Sequence, residues 1–351
     1  MNIWAYILKR IVLMVPTLLG VIAITFAVIQ FVPGGPVEQM MQELKGRAGV
    51  HESAGGASQY RARQGLDAER VKEIQALYGF DKPPMERFVL MLKGFATFDL
   101  GRSFYHHADV WELVKSKMPV SLTIGLWTFF LTYLISVPLG IAKAVREGSR
   151  FDVLSSMAVL VGYSIPGFVL GVFLLVLFGG GSFLQWFPLR GLTSDNWEML
   201  SPAGKVLDYL WHITLPITAS VAGSFATMTI LTKNTFLEEI RKQYVLTARA
   251  KGLSENKVLY KHVFRNALIP LVTGFPAAFI GAFFAGSLLI ETLFSLDGLG
   301  LLSYESVIRR DYPVVMGTLY LFTLIGLVVK LLGDLCYVWA DPRLQFESLA
   351  K

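Results

Sequence analysis

Few residues of this chain have the type and spacing that chemistry needs, and those few are poorly matched to a reaction. A phosphate loop of the form G-x-x-x-x-G-K-[ST] is missing. The nearest string, Ala203-Gly204-Lys205-Val206, lacks the first glycine and the hydroxyl residue, so the chain has no Walker site of its own. His106 and His107 are adjacent, and neighbouring side chains on a helix or strand point apart, which argues against a shared metal. Ser164, within Gly162-Tyr-Ser-Ile-Pro166, has no histidine at a comparable depth to activate it; bonding to backbone near the Pro166 break is the simpler role. Lys330 and Asp334 stand four apart in an apolar run, one helical turn from each other, and read as a structural ion pair. The single cysteine, Cys336, excludes an intrachain disulfide and reads as a packing residue.

The elements that carry these residues are apolar to an unusual degree. Of 351 residues, 54% are hydrophobic and 17% charged, and the mean hydropathy is +0.52. Soluble domains carry about 25% charged residues. The apolar residues fall into six runs, near 10–31, 119–142, 153–178, 212–231, 268–290 and 313–338, each able to cross a hydrocarbon layer about 30 Å thick. A soluble enzyme, a secreted disulfide scaffold and a disordered tail are excluded; the fold class is an all-α polytopic membrane protein with six transmembrane helices. The first run exceeds the length of a signal-peptide core and is read as a retained helix. The net charge of +6 belongs to loops facing the cytoplasm rather than to nucleic acid binding.

Orientation follows from short-loop cations. With the N-terminus inside, the inner segments hold Lys9, Arg10, Lys143, Arg146 and Arg150, eight Lys and Arg between 232 and 267, and Arg343 and Lys351 in the tail. The short outer loops hold only Arg190, Lys205, Arg309 and Arg310. Both termini are therefore placed in the cytoplasm. The chain divides into a first transmembrane helix (1–32), a periplasmic insertion (33–118), a five-helix core (119–338) containing a cytoplasmic loop at 233–267, and a tail (339–351). Within the insertion, 37–66 is rich in Gly, Ala and Ser and irregular. Asp67 can N-cap a helix bearing Val71, Ile74 and Tyr78, and a second short helix is expected at Met85–Phe95.

The loop from Lys233 to Pro270 is the informative stretch. Phe236, Ile240, Tyr244 and Thr247/Ala248 recur at helical spacing, giving one face of a short helix an apolar or small character. Gly252 is a C-cap candidate, and Ser254 can N-cap the next helix, which runs on through Lys261 and Arg265. Ala248, Ala250 and Gly252 are small enough to let another backbone approach, and Arg249, Lys251 and Arg265 surround them. Such an elbow has the form of a plug for a groove in a partner, although an ordinary basic loop of amphipathic surface helices has the same pattern.

Tyr244-Val-Leu-Thr-Ala-Arg-Ala-Lys-Gly252, followed by His262-Val-Phe-Arg-Asn-Ala-Leu-Ile-Pro270, resembles the coupling loop of ABC-importer permeases of the dipeptide/oligopeptide class. Leu246, Thr247 and Ala248 stand where the generic form has Glu-Ala-Ala, with the glycine kept four residues after the last of them. Further matches span the chain: Pro33-Gly-Gly-Pro36, Phe98-Asp-Leu-Gly-Arg-Ser103, Gly298-Leu-Gly300, Arg310-Asp-Tyr-Pro313 and Asp341-Pro-Arg343. The stretch near 37–66, with Leu189-Arg-Gly-Leu192 and Tyr209-Leu-Trp-His-Ile-Thr-Leu-Pro216, is similar to Yej-type permeases, which serve importers of oligopeptides and of the peptide antibiotic microcin C.

The resemblance implies the type I ABC importer permease fold in a bacterial inner membrane, and a transporter rather than an enzyme. It makes Tyr244, Thr247, Ala248, Arg249, Ala250, Lys251, Gly252, Leu253, Ser254, Arg265 and Asn266 the residues that dock on an ATPase. It places Asp297, Gly298, Gly300, Arg310 and Asp311 in the outer loops on the binding-protein side, Asp297 standing where the class often has proline. It implies three partners: a second, homologous permease forming a heterodimer, an ABC ATPase with two nucleotide-binding domains, and a periplasmic peptide-binding protein. ATP and Mg would be held by the ATPase, and no cofactor by this chain. An ion-coupled secondary carrier is the alternative reading.

Overall fold

The structure, a computed structural model, describes residues 3–32, 80–179, 183–284 and 287–340. These residues form helices α1 (Ile3–Phe31), α2 (Pro84–Ala96), α3 (Val110–Val145), α4 (Arg150–Ser164), α5 (Gly167–Leu174), α6 (Pro202–Ile240), α7 (Gln243–Ala250), α8 (Glu255–Lys257), α9 (Phe264–Ala267), α10 (Ile269–Phe284), α11 (Ser287–Leu293), α12 (Leu299–Ile308) and α13 (Tyr312–Ala340). No strand occurs among the described residues. The stretch 37–66 and the helix expected after Asp67 lie outside the described residues. The short helix expected at Met85–Phe95 is α2, with Pro84 at its first position, where a missing N–H costs nothing.

Four of the six apolar runs are single helices long enough to cross a membrane: α1, α3, α6 and α13. The run at 153–178 is instead α4 and α5, bent by 90°. Pro166 causes the break, because the residue before a proline is driven out of the helical region and Ile165 is extended (φ −96°, ψ 117°). Ser164 bonds to the backbone beside it, its Oγ donating to the Leu160 carbonyl at 2.9 Å. The run at 268–290 is α10, of 16 residues, and α11, with residues 285–286 outside the described set.

The described residues form two compact units. The first holds Lys117–Leu301, the start of α1 through Arg10 and the end of α13 from Gly326. One apolar core in it joins α3, α6 and α11 through Ile124, Ile213, Leu215, Ile217, Ile290 and Phe294. A second aromatic group stands Phe129 edge-on to Phe275, with centroids 4.7 Å apart. The second unit holds the remainder of α1, α2 and the chain through Ser116, and Leu302–Ile325. Its hub is Asp311, 2% exposed, whose carboxylate accepts from Ser103 Oγ and from the backbone N–H groups of Phe104 (3.0 Å) and Tyr105 (3.4 Å).

Two polar arrangements in the first unit go beyond the sequence reading. The pair expected between Lys330 and Asp334 is replaced: Asp334 accepts from Tyr6 Oη at 2.8 Å and pairs with Arg10 at 2.9 Å, while Lys330 is exposed. A lysine N-terminal to its acidic partner is the weaker order within a helix, and the guanidinium with the tyrosine hydroxyl offers a better-directed set of donors. Cys336, expected to be packed, is exposed. The other arrangement joins α3, α4 and α6. Asp152 sits in the first turn of α4 and receives Lys233 Nζ on both oxygens, at 2.8 and 2.7 Å, with Lys143 Nζ 3.2 Å away. Lys143 is 1% exposed and also donates to the Asp152 carbonyl, Ser155 Oγ and Ser156 Oγ.

Removing one member of a buried charge set costs about 3–5 kcal/mol, because the others stay desolvated without a partner. Asp152→Asn should therefore lower the yield of folded chain sharply. The double change Asp152→Asn with Lys233→Met should recover part of it, as read by monodisperse protein in size-exclusion chromatography. Equal yields of wild type and Asp152→Asn would show that the cluster holds nothing together.

Candidate functional site

The elbow begins where α6 stops. Helical spacing had suggested one short helix carrying Phe236, Ile240, Tyr244 and Ala248, but the chain turns at Arg241 and Lys242, the latter extended (φ −73°, ψ 149°). Phe236 and Ile240 end α6, and Tyr244 and Ala248 belong to α7. The turn is held by side chains: Arg241 forks onto Glu147 at 2.9 and 2.8 Å, and Lys242 pairs with Glu239. It gains burial, since Phe236 and Val245 both become fully buried in a cluster with Ala144, Ala248, Val258, Val263 and Ala267.

Gly252 is at a helix end that needs it. Its φ is +78°, its N–H donates to the Arg249 carbonyl (2.9 Å), and Leu253 N–H reaches the Ala248 carbonyl (3.4 Å). This is a Schellman ending, completed by Leu253 packing against the cluster that contains Ala248. A Cβ on Gly252 would meet nothing within 4 Å, so the backbone conformation, and not crowding within the chain, demands the glycine. Arg249 closes the turn with a fork onto Glu255, at 2.9 and 3.0 Å. Ser254 occupies the N-cap position of α8, but its hydroxyl makes no capping bond. Val258–Val263 is π-helical, and the wider turn lets two valines five residues apart both face the cluster.

Two faces result. Val245 and Ala248 point inward, and Ala248, expected at the docking surface, is 6% exposed. Thr247, Arg249, Ala250, Lys251, Gly252 and Ser254 are exposed, as are Leu246, Tyr260 and Arg265. Leu246 and Tyr260 are thus apolar groups left at the surface of a basic elbow. Tyr244 is half-buried and donates to Glu239 Oε2 at 2.6 Å. Burial, reinforced by that carboxylate, pushes its pKa up, so the hydroxyl remains a donor at neutral pH. The bond to Glu239 likewise raises the pKa of Lys242. Asn266 Nδ2 lies 3.5 Å from the His262 carbonyl, inside the elbow.

The residues expected on the outer loops each have their own surroundings. Asp297 is exposed and pairs with Lys117. Gly298 lies against the fully buried Glu291, whose carboxylate would collide with any Cβ there. Glu291, overlooked in the sequence, accepts from Ser121 Oγ (3.1 Å) and from Leu301 N–H (2.7 Å), placing a carboxylate at the start of α12, where Gly300 also lies. Arg310 has a positive φ of 55° just before the buried Asp311, which is an internal acceptor and not a surface contact. Among the described residues no group of three or more His, Cys, Asp or Glu could hold a metal ion. Lys143, Asp152 and Lys233 were also missed, because nothing in their spacing pairs them.

Residues 136–346 match the family described as binding-protein-dependent transport system inner membrane component. The chain is 54% identical to the peptidoglycan transport system permease protein YejB of Agrobacterium fabrum, over 98% of each chain. It is 52% identical to the inner membrane ABC transporter permease protein YejB of Escherichia coli O157:H7, covering 98% of this chain and 99% of that one. With the oligopeptide transport system permease protein AppB of Bacillus subtilis it shares 31% identity, over 97% of this chain and 99% of that one. Among solved structures, an inward-facing MetNI methionine ABC transporter matches 66% of this chain and 97% of its own, with 17% identity and a TM-score of 0.48. A chain of membrane-spanning helices, carrying a basic elbow and matching this family over well over half its length, belongs to the binding-protein-dependent transport system inner membrane components, the multi-pass permeases of ABC importers.

Proposed function

We propose that the chain is one permease of a heterodimer that imports oligopeptides, driven by a separate ABC ATPase with two nucleotide-binding domains that holds the ATP and Mg. The exposed face of the elbow carries this reading. A stiff turn capped at Gly252 presents Leu246, Thr247, Ala250 and Lys251 without internal partners to cover them, as a plug for a groove requires. Arg249, Ser254 and Arg265 lie at its edge, while Tyr244, Ala248, Leu253 and Asn266 hold its shape from within. Closure of the ATPase would move the elbow as a rigid body, and α6 would follow because its last turns share the elbow's core.

In this reading both termini and the elbow face the cytoplasm, on the support of the basic short loops. The insertion 33–118 and the turns at Asp297, Gly298, Gly300 and Arg310 face the periplasm and its peptide-binding protein. Asp311 shapes that side from inside. Peptides as cargo rest on the dipeptide and oligopeptide permeases among the relatives. The relative named for peptidoglycan transport favours a second cargo, peptides released from the cell wall.

Gly252→Trp tests the elbow. A non-glycine residue at this φ costs about 1–2 kcal/mol, and open space awaits the indole, so folded permease should persist. ATP hydrolysis stimulated by loaded binding protein should fall to the unstimulated level, whereas Gly252→Asn, which tolerates the left-handed conformation, should retain most of it. Stimulated hydrolysis equal to wild type in Gly252→Trp would make the elbow a mere basic surface.

Uptake of a labelled tripeptide into proteoliposomes of the assembled importer tests the function. It should require ATP and survive an uncoupler, and muropeptide-derived peptides should compete if the cell wall supplies cargo. Uptake that needs an ion gradient and proceeds without ATP would establish a secondary carrier instead.

A further inference from the structure

The second unit contains a cavity of about 330 Å³ that the transport reading does not use. It lies between α2, the end of α1 (Phe26, Ile29, Gln30) and the start of α13 (Tyr312, Pro313, Met316). Both α1 and α13 are long and apolar enough to cross the membrane, so the cavity sits where the two spans leave the hydrocarbon. Its walls are apolar, built from Phe26, Leu90, Met91 and Met316.

One cation is fixed among them. The Arg87 guanidinium lies 4.7 Å over the Phe80 ring and donates from Nη2 to Gln30 at 2.8 Å. Its Nε is buried and finds no acceptor among the described residues. Lys82 lines the same cavity and is only 3.7 Å from its partner Glu86. Against these two cations stands Asp99, whose Oδ1 already accepts from Gly101 N–H at 3.0 Å. With Lys82 offset by Glu86, the cavity offers the Arg87 guanidinium, whose Nε is an unused donor among the described residues, in an apolar setting.

The surroundings indicate what fills it. α2 is too short to span a membrane, yet it turns Met85 (73% exposed) and Val89 (42% exposed) outward one helical turn apart. An exposed apolar face on such a helix fits a position within the membrane interface. The adjoining flank of α1 is lipid-like as well, with Ile24 and Val28 more than half exposed. A cavity of about 330 Å³ has room for a headgroup and not for a whole lipid.

We propose that this cavity binds the headgroup of an anionic phospholipid, its phosphate on Arg87 and Lys82 and its acyl chains along the exposed flank of α1. A phosphate diester accepts from the Nε–H that no described residue uses. The inference is independent of cargo and of orientation, needing only that α1 and α13 cross the membrane.

The test is native mass spectrometry of the assembled importer, released from nanodiscs of equal parts phosphatidylglycerol and phosphatidylcholine. Wild type should retain one phosphatidylglycerol through delipidation, and Arg87→Gln should retain about tenfold less, as the loss of a charge-assisted hydrogen bond implies. Arg87→Lys should fall between them. Met91→Trp, which fills the cavity and leaves the charge, should also lose the lipid, and it decides the matter if Arg87→Gln fails to assemble. Retention equal to wild type in both variants, or phosphatidylcholine held as well as phosphatidylglycerol, would overturn the proposal. Displacement by inorganic phosphate would give the site to the free anion, and displacement by trialanine would give it to peptide. Tripeptide uptake measured on the same preparations keeps failure of the lipid site distinct from failure of the transport reading.

Discussion

The shape of the elbow rests on one apolar cluster. Phe236 of α6, Val245 and Ala248 of α7, and Val258 and Val263 of the π-helical stretch are packed around Ala144 of α3. Three segments separated in sequence thereby share a single core, and none can shift without opening a cavity. The Schellman turn at Gly252 and the Arg249–Glu255 fork then fix the stretch between α7 and α8. The Lys143–Asp152–Lys233 cluster extends the same fixation to α4 with directional bonds in place of dispersion.

Much of this was legible in the sequence, for identifiable reasons. A membrane imposes runs of about twenty apolar residues, so the spans announce themselves, and Pro166 marks its own break. Gly252 was legible because a glycine after a small-residue helix is the usual way to end it. The start of α7 was not. It depends on the turn at Arg241 and Lys242, where no proline or glycine marks the stop, and that turn decides that Ala248 points inward while Ala250 points out. The π-helical stretch was hidden for a related reason, since Val258 and Val263 fit no α-helical period.

Long-range polar partners were the least legible features. Asp152 and Lys233 are 81 residues apart, and Tyr6 and Asp334 are 328 apart, so no local rule pairs them. The sequence offered Lys330 as the nearest cation to Asp334, and proximity along the chain proved a poor guide in a protein whose first and last helices share a unit. Glu291 was overlooked because its partners are the Leu301 N–H and Ser121, which carry no signature at all.

The right-angle break at Ile165 and Pro166 bears on how the chain is made. α4 and α5, at 15 and 8 residues, are each shorter than the roughly twenty residues that a bilayer accepts as a stable rod. The corner between them interrupts the helical hydrogen bonding, and irregular backbone is tolerated at membrane depth only when protein covers it. Within this chain α6 supports only the α5 side of the corner: Gly167 begins α5 so close to the Ala219 carbonyl that a Cβ would stand 2.8 Å from it, while Tyr163–Pro166 are exposed. Because α6 is synthesised after α5, the bent pair reaches its final place only once later sequence has emerged. Biogenesis of this region is therefore a folding event that follows insertion, and a ribosome stalled before residue 202 would leave an intermediate without the α6 contact at Gly167.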